Sequence, residues 1–289
     1  MTGSRIATRP APLIPSFLAA LALALALTLA GPAAAQVVAD PGPEVVRTPS
    51  QIGISPQLFE IALDQPLATH AYRLHNLGGQ DTKVRVRVIN WTLDEAGKMV
   101  VLPPTENSLD RWLVVNPLEL DLPAGSTRAV RFSVRPAQAL PPGEYRAALV
   151  FEEDPPAPAS QAGERTMSLT ARFRITSAIY ASTGAVSRSG SIDDIELHAD
   201  RLVMFARGEG TGHVRPTLAY TISREGGSAP LAQGEISRAP VLPDLRRSID
   251  TELPADVRLA PGRYLVTLEG TLGDAGVSLR RTLAVADAN

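Results

Sequence analysis

Leu140-Pro141-Pro142-Gly143-Glu144-Tyr145 leads into a run in which Tyr145, Ala147, Leu149 and Phe151 share one parity. Leu259-Ala260-Pro261-Gly262-Arg263-Tyr264 leads into a second such run, continued by Val266 and Leu268. Proline and glycine at those places make a tight turn, and strict alternation afterwards sets one row of side chains in a core and the other in water. A tyrosine that follows a turn and opens a long strand sends its ring into the core while its hydroxyl ties the turn's backbone. That is the tyrosine corner of immunoglobulin-like sandwiches. Its two copies predict an all-β chain made of two immunoglobulin-like β-sandwich domains in tandem.

The surrounding sequence has the same texture. Tyr72 and Leu74; Val84, Val86 and Val88; Val130, Phe132 and Val134; Leu218, Tyr220 and Ile222; and Val277 and Leu279 all alternate with polar or small residues. Asp94-Glu95-Ala96-Gly97 reads as a hairpin turn, and Gly226-Gly227 and Gly273-Asp274 punctuate the second half. No long stretch repeats apolar residues at helical spacing. Trp91, at the end of the Val84–Val88 run, is expected as the buried tryptophan of the first core. The Pro- and Ala-rich stretch 154–165 reads as a loop inside the first domain, because that sandwich needs one more strand and residues 166–180 supply it. The boundary is expected in Ala181 to Ser191, giving domains at 51–182 and 183–289. An extended lead-in at 36–50 carries Pro41, Pro43 and Pro49.

The first 35 residues are expected to be a signal peptide. Arg5 and Arg9 precede the apolar run Phe17 to Ala30, and Ala33-Ala34-Ala35 supplies a cleavage site before Gln36. The run is short of the ~20 residues that span a bilayer, and no Cys follows it to carry a lipid, so no stable membrane insertion is expected. Cleavage leaves residues 36–289. The whole chain has 28 Lys and Arg against 30 Asp and Glu; without Arg5 and Arg9 the balance is 26 to 30, a net charge of −4. No block of like charge favours nucleic acid. The absence of Cys excludes thiol catalysis, thiolate metal sites and disulfides.

Catalytic constellations are missing. His70 and His75 have opposite parity on one strand, and all four histidines (with His198 and His213) read as surface polar groups rather than metal ligands. Gly208-Glu209-Gly210-Thr211-Gly212-His213 lacks the lysine and following helix of a phosphate cradle and reads as an interstrand loop. Asp193-Asp194 and Glu152-Glu153-Asp154 read as solvated turn residues. Arg85 and Arg87, beside Arg73, read as solvated positions, with a basic strand face toward a partner as the alternative. No enzyme activity, cofactor or metal is expected.

Residues 166–176 form the cleanest period-two segment: Met167, Leu169, Ala171, Phe173 and Ile175 make an apolar row, and Arg172 and Arg174 lie on the polar row. The apolar row fits two roles. It packs the domain's own core, or, as the last strand of the domain at a sheet edge, it is lent to a partner with an incomplete sheet. The order of features favours the second role. Arg73-Leu74-His75-Asn76, Val88-Ile89-Asn90-Trp91 followed by Asp94 and Gly97, Leu113-Val114-Val115-Asn116-Pro117, Leu122-Pro123-Ala124-Gly125 and Leu140-Pro141 resemble, in series over residues 50–182, the periplasmic pilus-assembly chaperones of the PapD type. The resemblance implies a periplasmic chaperone that donates the strand 166–176 to a pilus or fimbrial subunit, with an outer-membrane usher as a further partner. It also implies a basic pair that anchors the subunit's terminal carboxylate. Here Ile54 to Leu63 holds no basic residue, Glu60 lies near the expected Arg, and Thr176 and Ser177 lie near the expected Lys. Arg172 and Arg174 are the nearest cations. The alternative is a non-cycling structural adaptor of an envelope assembly built from the same domains.

Overall fold

The computed structural model describes residues 51–64, 68–154 and 172–286. The leader, the lead-in, and Met167, Leu169 and Ala171 of the apolar row lie outside the described residues. Among the described residues no helix is long and apolar enough to cross a membrane.

The first sandwich contains β1 (Ile52–Ser55), β2 (Phe59–Ala62), β3 (His70–Asn76), β4 (Thr82–Leu93), β5 (Met99–Leu102), β6 (Leu113–Asn116), β7 (Glu119–Leu122), β8 (Thr127–Val134), β9 (Gly143–Asp154) and β10 (Arg174–Thr183). One sheet has the order β1-β3-β8-β6; the other has β2-β10-β9-β4-β5, with β7 also paired to β4. The inward parity of each strand meets between them: Tyr72 and Leu74, Val84 and Val86, Phe132, Leu149 and Phe151, and Ile179 are all buried. Tyr72 is packed edge-on by Phe59 at 4.8 Å and by Phe151 at 5.4 Å. Each such side chain contributes roughly 1.5–3 kcal/mol of transfer free energy.

The second sandwich contains β11 (Gly190–Leu197), β12 (Arg201–Gly208), β13 (Pro216–Arg224), β14 (Pro230–Glu235), β15 (Arg246–Glu252), β16 (Gly262–Leu272) and β17 (Ala275–Val285). Its sheets run β11-β12-β15 and β14-β13-β16-β17. Leu202, Met204, Leu218, Ile222, Tyr264, Val266 and Leu268 fill its interior.

Both tyrosine corners are built. The Tyr145 hydroxyl donates to the Pro141 carbonyl at 2.9 Å, and the Tyr264 hydroxyl donates to the Ala260 carbonyl at 2.6 Å. The glycine between turn and tyrosine has the same unusual backbone in each copy, φ 151 at Gly143 and φ 155 at Gly262. A residue with a Cβ is strained in that region, which is why the sequence echo retains Gly.

Two expectations for side-chain placement are corrected. Trp91 is buried, but in a cluster separate from the first core. Val84 and Val86 face inward on β4; Ile89 and Trp91 have the other parity and face out, toward Leu242 of the second sandwich. Arg73 lies on β3, in the sheet opposite that of Arg85 and Arg87, so the three do not form one basic face. Arg85 and Arg87 are instead ion-paired, to Glu119 and Asp154 and to Glu152 respectively.

Removing either corner hydroxyl loses one hydrogen bond worth about 1 kcal/mol. Tyr145→Phe and Tyr264→Phe are therefore each expected to lower the denaturant midpoint by that amount without changing the slope of the transition. Gly262→Ala is expected to cost more, because it adds strain of about 1–3 kcal/mol.

Candidate functional site

β10 is paired unequally on its two sides. It runs antiparallel to β9 over its whole length, from Arg174 opposite Glu152 to Thr183 opposite Gly143. With β2 it pairs in parallel only from Ile179 to Ser182. Among the described residues no strand pairs with the other side of Arg174 to Ala178. The Phe173 carbonyl accepts from Glu153 N–H at 3.1 Å, and the Ser182 carbonyl accepts from Leu63 N–H at 2.7 Å. The strand has no bulge between these points. Alternation therefore turns the backbone groups of Ile175 and Ser177 toward β9 and those of Arg174 and Thr176 toward the open side.

A polar knot fixes the place where the open part begins. Ser177 is buried, and its hydroxyl is hydrogen-bonded to the Tyr72 hydroxyl at 2.8 Å and the Gln57 carbonyl at 2.6 Å. Burial pushes the Tyr72 phenol well above its ordinary range. Upstream, Phe173 and Ile175 are partly buried against the first core, while Arg172, Arg174 and Thr176 are exposed. Arg174 already has an acceptor, Glu152 at 3.1 Å. The Arg87 guanidinium, forked onto the same carboxylate, holds Glu152 below its ordinary pKa.

The outward face of this sheet changes character along the strands. At the β10 open end it is charged, with Arg85, Arg87, Glu152, Asp154 and Arg174. In the middle it is apolar: Ile89, Trp91, Ala148, Val150 and Tyr180 form a buried cluster with Leu242. Trp91 meets Tyr180 edge-on at 5.7 Å. The second sandwich covers this middle zone. The β4–β5 hairpin tip closes one side, where Ser248 N–H donates to the Glu95 carbonyl at 2.7 Å and Arg246, stacked 4.2 Å from the Phe205 ring, pairs with the Glu95 carboxylate.

The far end of the same face holds a buried ionic bridge. The Glu144 side chain has no exposure and binds His213 Nδ1 at 2.7 Å, His213 N–H at 3.2 Å and Arg188 Nη1 at 3.1 Å. His213 Nε2 lies 3.3 Å from Glu60, and its ring centroid lies 4.1 Å from that of Tyr180. Burial alone would push the Glu144 carboxyl up; the His213 imidazole and backbone and the Arg188 charge together hold it below its ordinary value. Glu60 is engaged from the second sandwich by His213 and, at 3.7 Å, by Arg215.

The glycine run before His213 explains how the bridge is reached. A Cβ on Gly208 would strike the Leu242 carbonyl, one on Gly210 the Ser187 carbonyl, and one on Gly212 the Val186 side chain. Without side chains the loop lies flat against its neighbours, and its Thr211 carbonyl accepts from Glu144 N–H at 3.2 Å. The interstrand-loop reading of this segment agrees with its position between β12 and β13.

Three further expectations change. His213, expected at the surface, is 3% exposed, because two carboxylates from the first sandwich draw it in. Asp193-Asp194 and Glu152-Glu153-Asp154 are strand residues, not turn residues. Asp193 pairs with Arg207 and Arg246, Asp194 pairs with Arg281, and buried Glu153 accepts from the Thr82 hydroxyl at 2.8 Å. Among the described residues no group of three or more His, Cys, Asp or Glu could hold a metal. Sequence reasoning passed over Glu144, Arg188 and Tyr180 as a set. One signal was present: the echoed turns differ at this point, Gly-Glu-Tyr against Gly-Arg-Tyr.

The protein so described is an all-β protein of two immunoglobulin-like sandwiches. No family model matches the sequence, and no curated protein matches it. Solved structures to which it is similar include the class 5 fimbriae chaperone CfaA, at 14% identity over 82% of this chain and 100% of that one, with a TM-score of 0.43. The YadV chaperone is similar at 12% identity over 81% and 99%, TM-score 0.43. The Salmonella enterica SafA pilin–SafB chaperone complex is similar at 13% identity over 81% and 96%, TM-score 0.41.

Breaking a buried pair by neutralising one partner costs about 3–5 kcal/mol, so Glu144→Gln is expected to lower stability by an amount of that order. A carboxylate whose folded pKa is depressed contributes stability above its unfolded value that is lost as pH falls through the folded value. The midpoint of the native chain is therefore expected to fall on acidification below 4.5, the ordinary Glu value, and Glu144→Gln is expected to flatten that fall. Unfolding curves recorded from neutral to acid pH measure both effects.

Proposed function

We propose that this protein is a periplasmic chaperone of pilus or fimbrial subunits. It lends the open edge at the start of β10, with the apolar row Met167, Leu169, Ala171, Phe173 and Ile175, to a subunit whose own sheet lacks a strand. The observation that carries the reading is the unequal pairing of β10: β9 holds it along its length, yet Arg174 and Thr176 present unpaired backbone groups among the described residues. An edge of this kind templates strand addition, and an alternating apolar row gives the added strand something to insert in a groove. β9 already orders the stretch from Arg174 onward, and a strand ordered beforehand lowers the cost of binding. The ordered series of segments that resembles the PapD-type chaperones supports the same role, with an outer-membrane usher as the recipient of the subunit and with domains at 51–182 and 183–289. For a subunit carboxylate, Arg172 is the more available of the two cations, because Arg174 would have to leave Glu152.

The test is recovery of the tagged chain from its native periplasm with partners identified by mass spectrometry. The expected result is a near-stoichiometric small subunit that falls at least about tenfold in Phe173→Asp and Ile175→Asp variants that keep native circular dichroism. Recovery of large envelope components in fixed proportion, unaffected by those substitutions, would replace this reading with the non-cycling adaptor.

A further inference from the structure

The inward row of β9 breaks its own pattern at the last place. Tyr145, Ala147, Leu149 and Phe151 face the first core, and the same parity then carries Glu153. Glu153 is 5% exposed. An apolar side chain would be less costly there, because a carboxylate taken out of water must be held by donors. The donors identify what the residue does. Its Oε1 accepts from the Thr82 hydroxyl on β4 at 2.8 Å, and its Oε2 accepts from the Phe173 N–H at 3.3 Å. One side chain thus straps the start of β10 to β4 across β9.

The strap falls where the β9–β10 register ends. Two residues that face each other as a hydrogen-bonded antiparallel pair exchange two backbone bonds. Here the first runs from Glu153 N–H to the Phe173 carbonyl at 3.1 Å. The Phe173 N–H returns to the Glu153 carboxylate, where a continuing ladder would use the Glu153 carbonyl. Two places further along the sequence stands Pro155, which has no N–H to offer a neighbouring strand. By alternation, Glu153 N–H is the last donor that β9 turns toward β10 before that proline. Phe173 and Ile175 pack partly against the first core, and Arg174 between them begins the open edge.

We propose that Glu153 is the positioning residue of the subunit-binding edge. Its carboxylate, oriented by Thr82, closes the ladder at Phe173 and sets the depth at which Phe173 and Ile175 are presented. This role rests on the chaperone reading, because the row it positions is the one lent to a subunit.

Two measurements test it, and the first needs no subunit. In nuclear magnetic resonance spectra of the native chain, the Phe173 amide is expected to shift as the Glu153 carboxyl takes up a proton on acidification. Glu153→Gln keeps an acceptor for Phe173 and a donor for Thr82 but cannot titrate, so the shift is expected to vanish. Glu152 and Asp154 are present in both chains, so the difference isolates Glu153. The second measurement is recovery of the small subunit with the tagged chain. Glu153→Leu restores the apolar pattern and removes the strap; it is expected to lower recovery about tenfold, while Glu153→Gln keeps recovery near the native level. A purely structural role would lower the thermal midpoint and leave recovery by the folded chain unchanged. Thr82→Val, which frees one carboxylate oxygen, is expected to change recovery in the same direction and decides the matter if Glu153→Leu does not fold. An identical Phe173 shift in the native chain and Glu153→Gln overturns the proposal, as does native recovery by folded Glu153→Leu while Phe173→Asp loses the subunit. Native recovery by Phe173→Asp as well overturns the chaperone reading with it.

Discussion

The fold turns on one strand that two neighbours hold unequally. β10 must complete the first sandwich, since its Ile179 and Ala181 side chains are fully buried in that core. It must also carry the outward Ala178 and Tyr180 on which the second sandwich rests. Both duties fall from Ser177 onward, where the Ser177–Tyr72–Gln57 knot anchors the strand and β2 pairs with Ile179 to Ser182. Before Ser177, Phe173 and Ile175 pack only partly against the core, and among the described residues the stretch keeps only the β9 ladder. A strand fixed at one end and half-paired at the other is geometrically ordered while its backbone remains available.

The same sheet explains why the two sandwiches meet as they do. Outward parity on β4, β9 and β10 reads charged, then apolar, then charged along the strands, and only the apolar middle gains by exclusion of water. The flanking charges act as borders. At one border the Glu95 hairpin tip is engaged by Arg246 and Ser248; at the other Glu144 is enclosed by His213 and Arg188. Buried ionic bridges contribute little net stability compared with apolar packing, but they strongly penalise arrangements that leave one partner unpaired. The bridge therefore specifies how the sandwiches dock, while Trp91, Tyr180 and Leu242 supply the favourable burial.

The sandwich architecture was readable in advance because its determinants are local. A Pro-Gly turn, a tyrosine and a period-two run lie within a dozen residues, and each names its own conformation. The inward rows of β3, β4, β8 and β9 followed from parity alone. Trp91 ends the same strand as the valine run but shares the parity of Ile89, and parity, not proximity along the chain, sends it to the outward face. The junction was not readable because its members come from β2, β9, β10, the segment before β11 and the loop after β12. Nothing in the local sequence around His213 announces Glu144 or Glu60. The glycines before His213 were visible, but their cause, contact with Leu242 and Ser187, exists only in the folded chain.

Amide hydrogen exchange read residue by residue along β10 tests the half-paired strand most directly. In the free protein the account predicts an alternating pattern, with Arg174 and Thr176 exchanging far faster than Ile175 and Ser177, and loss of that alternation once a partner strand is added. Equally slow exchange at all four amides in the free protein would mean that the edge is already covered, and would contradict the account.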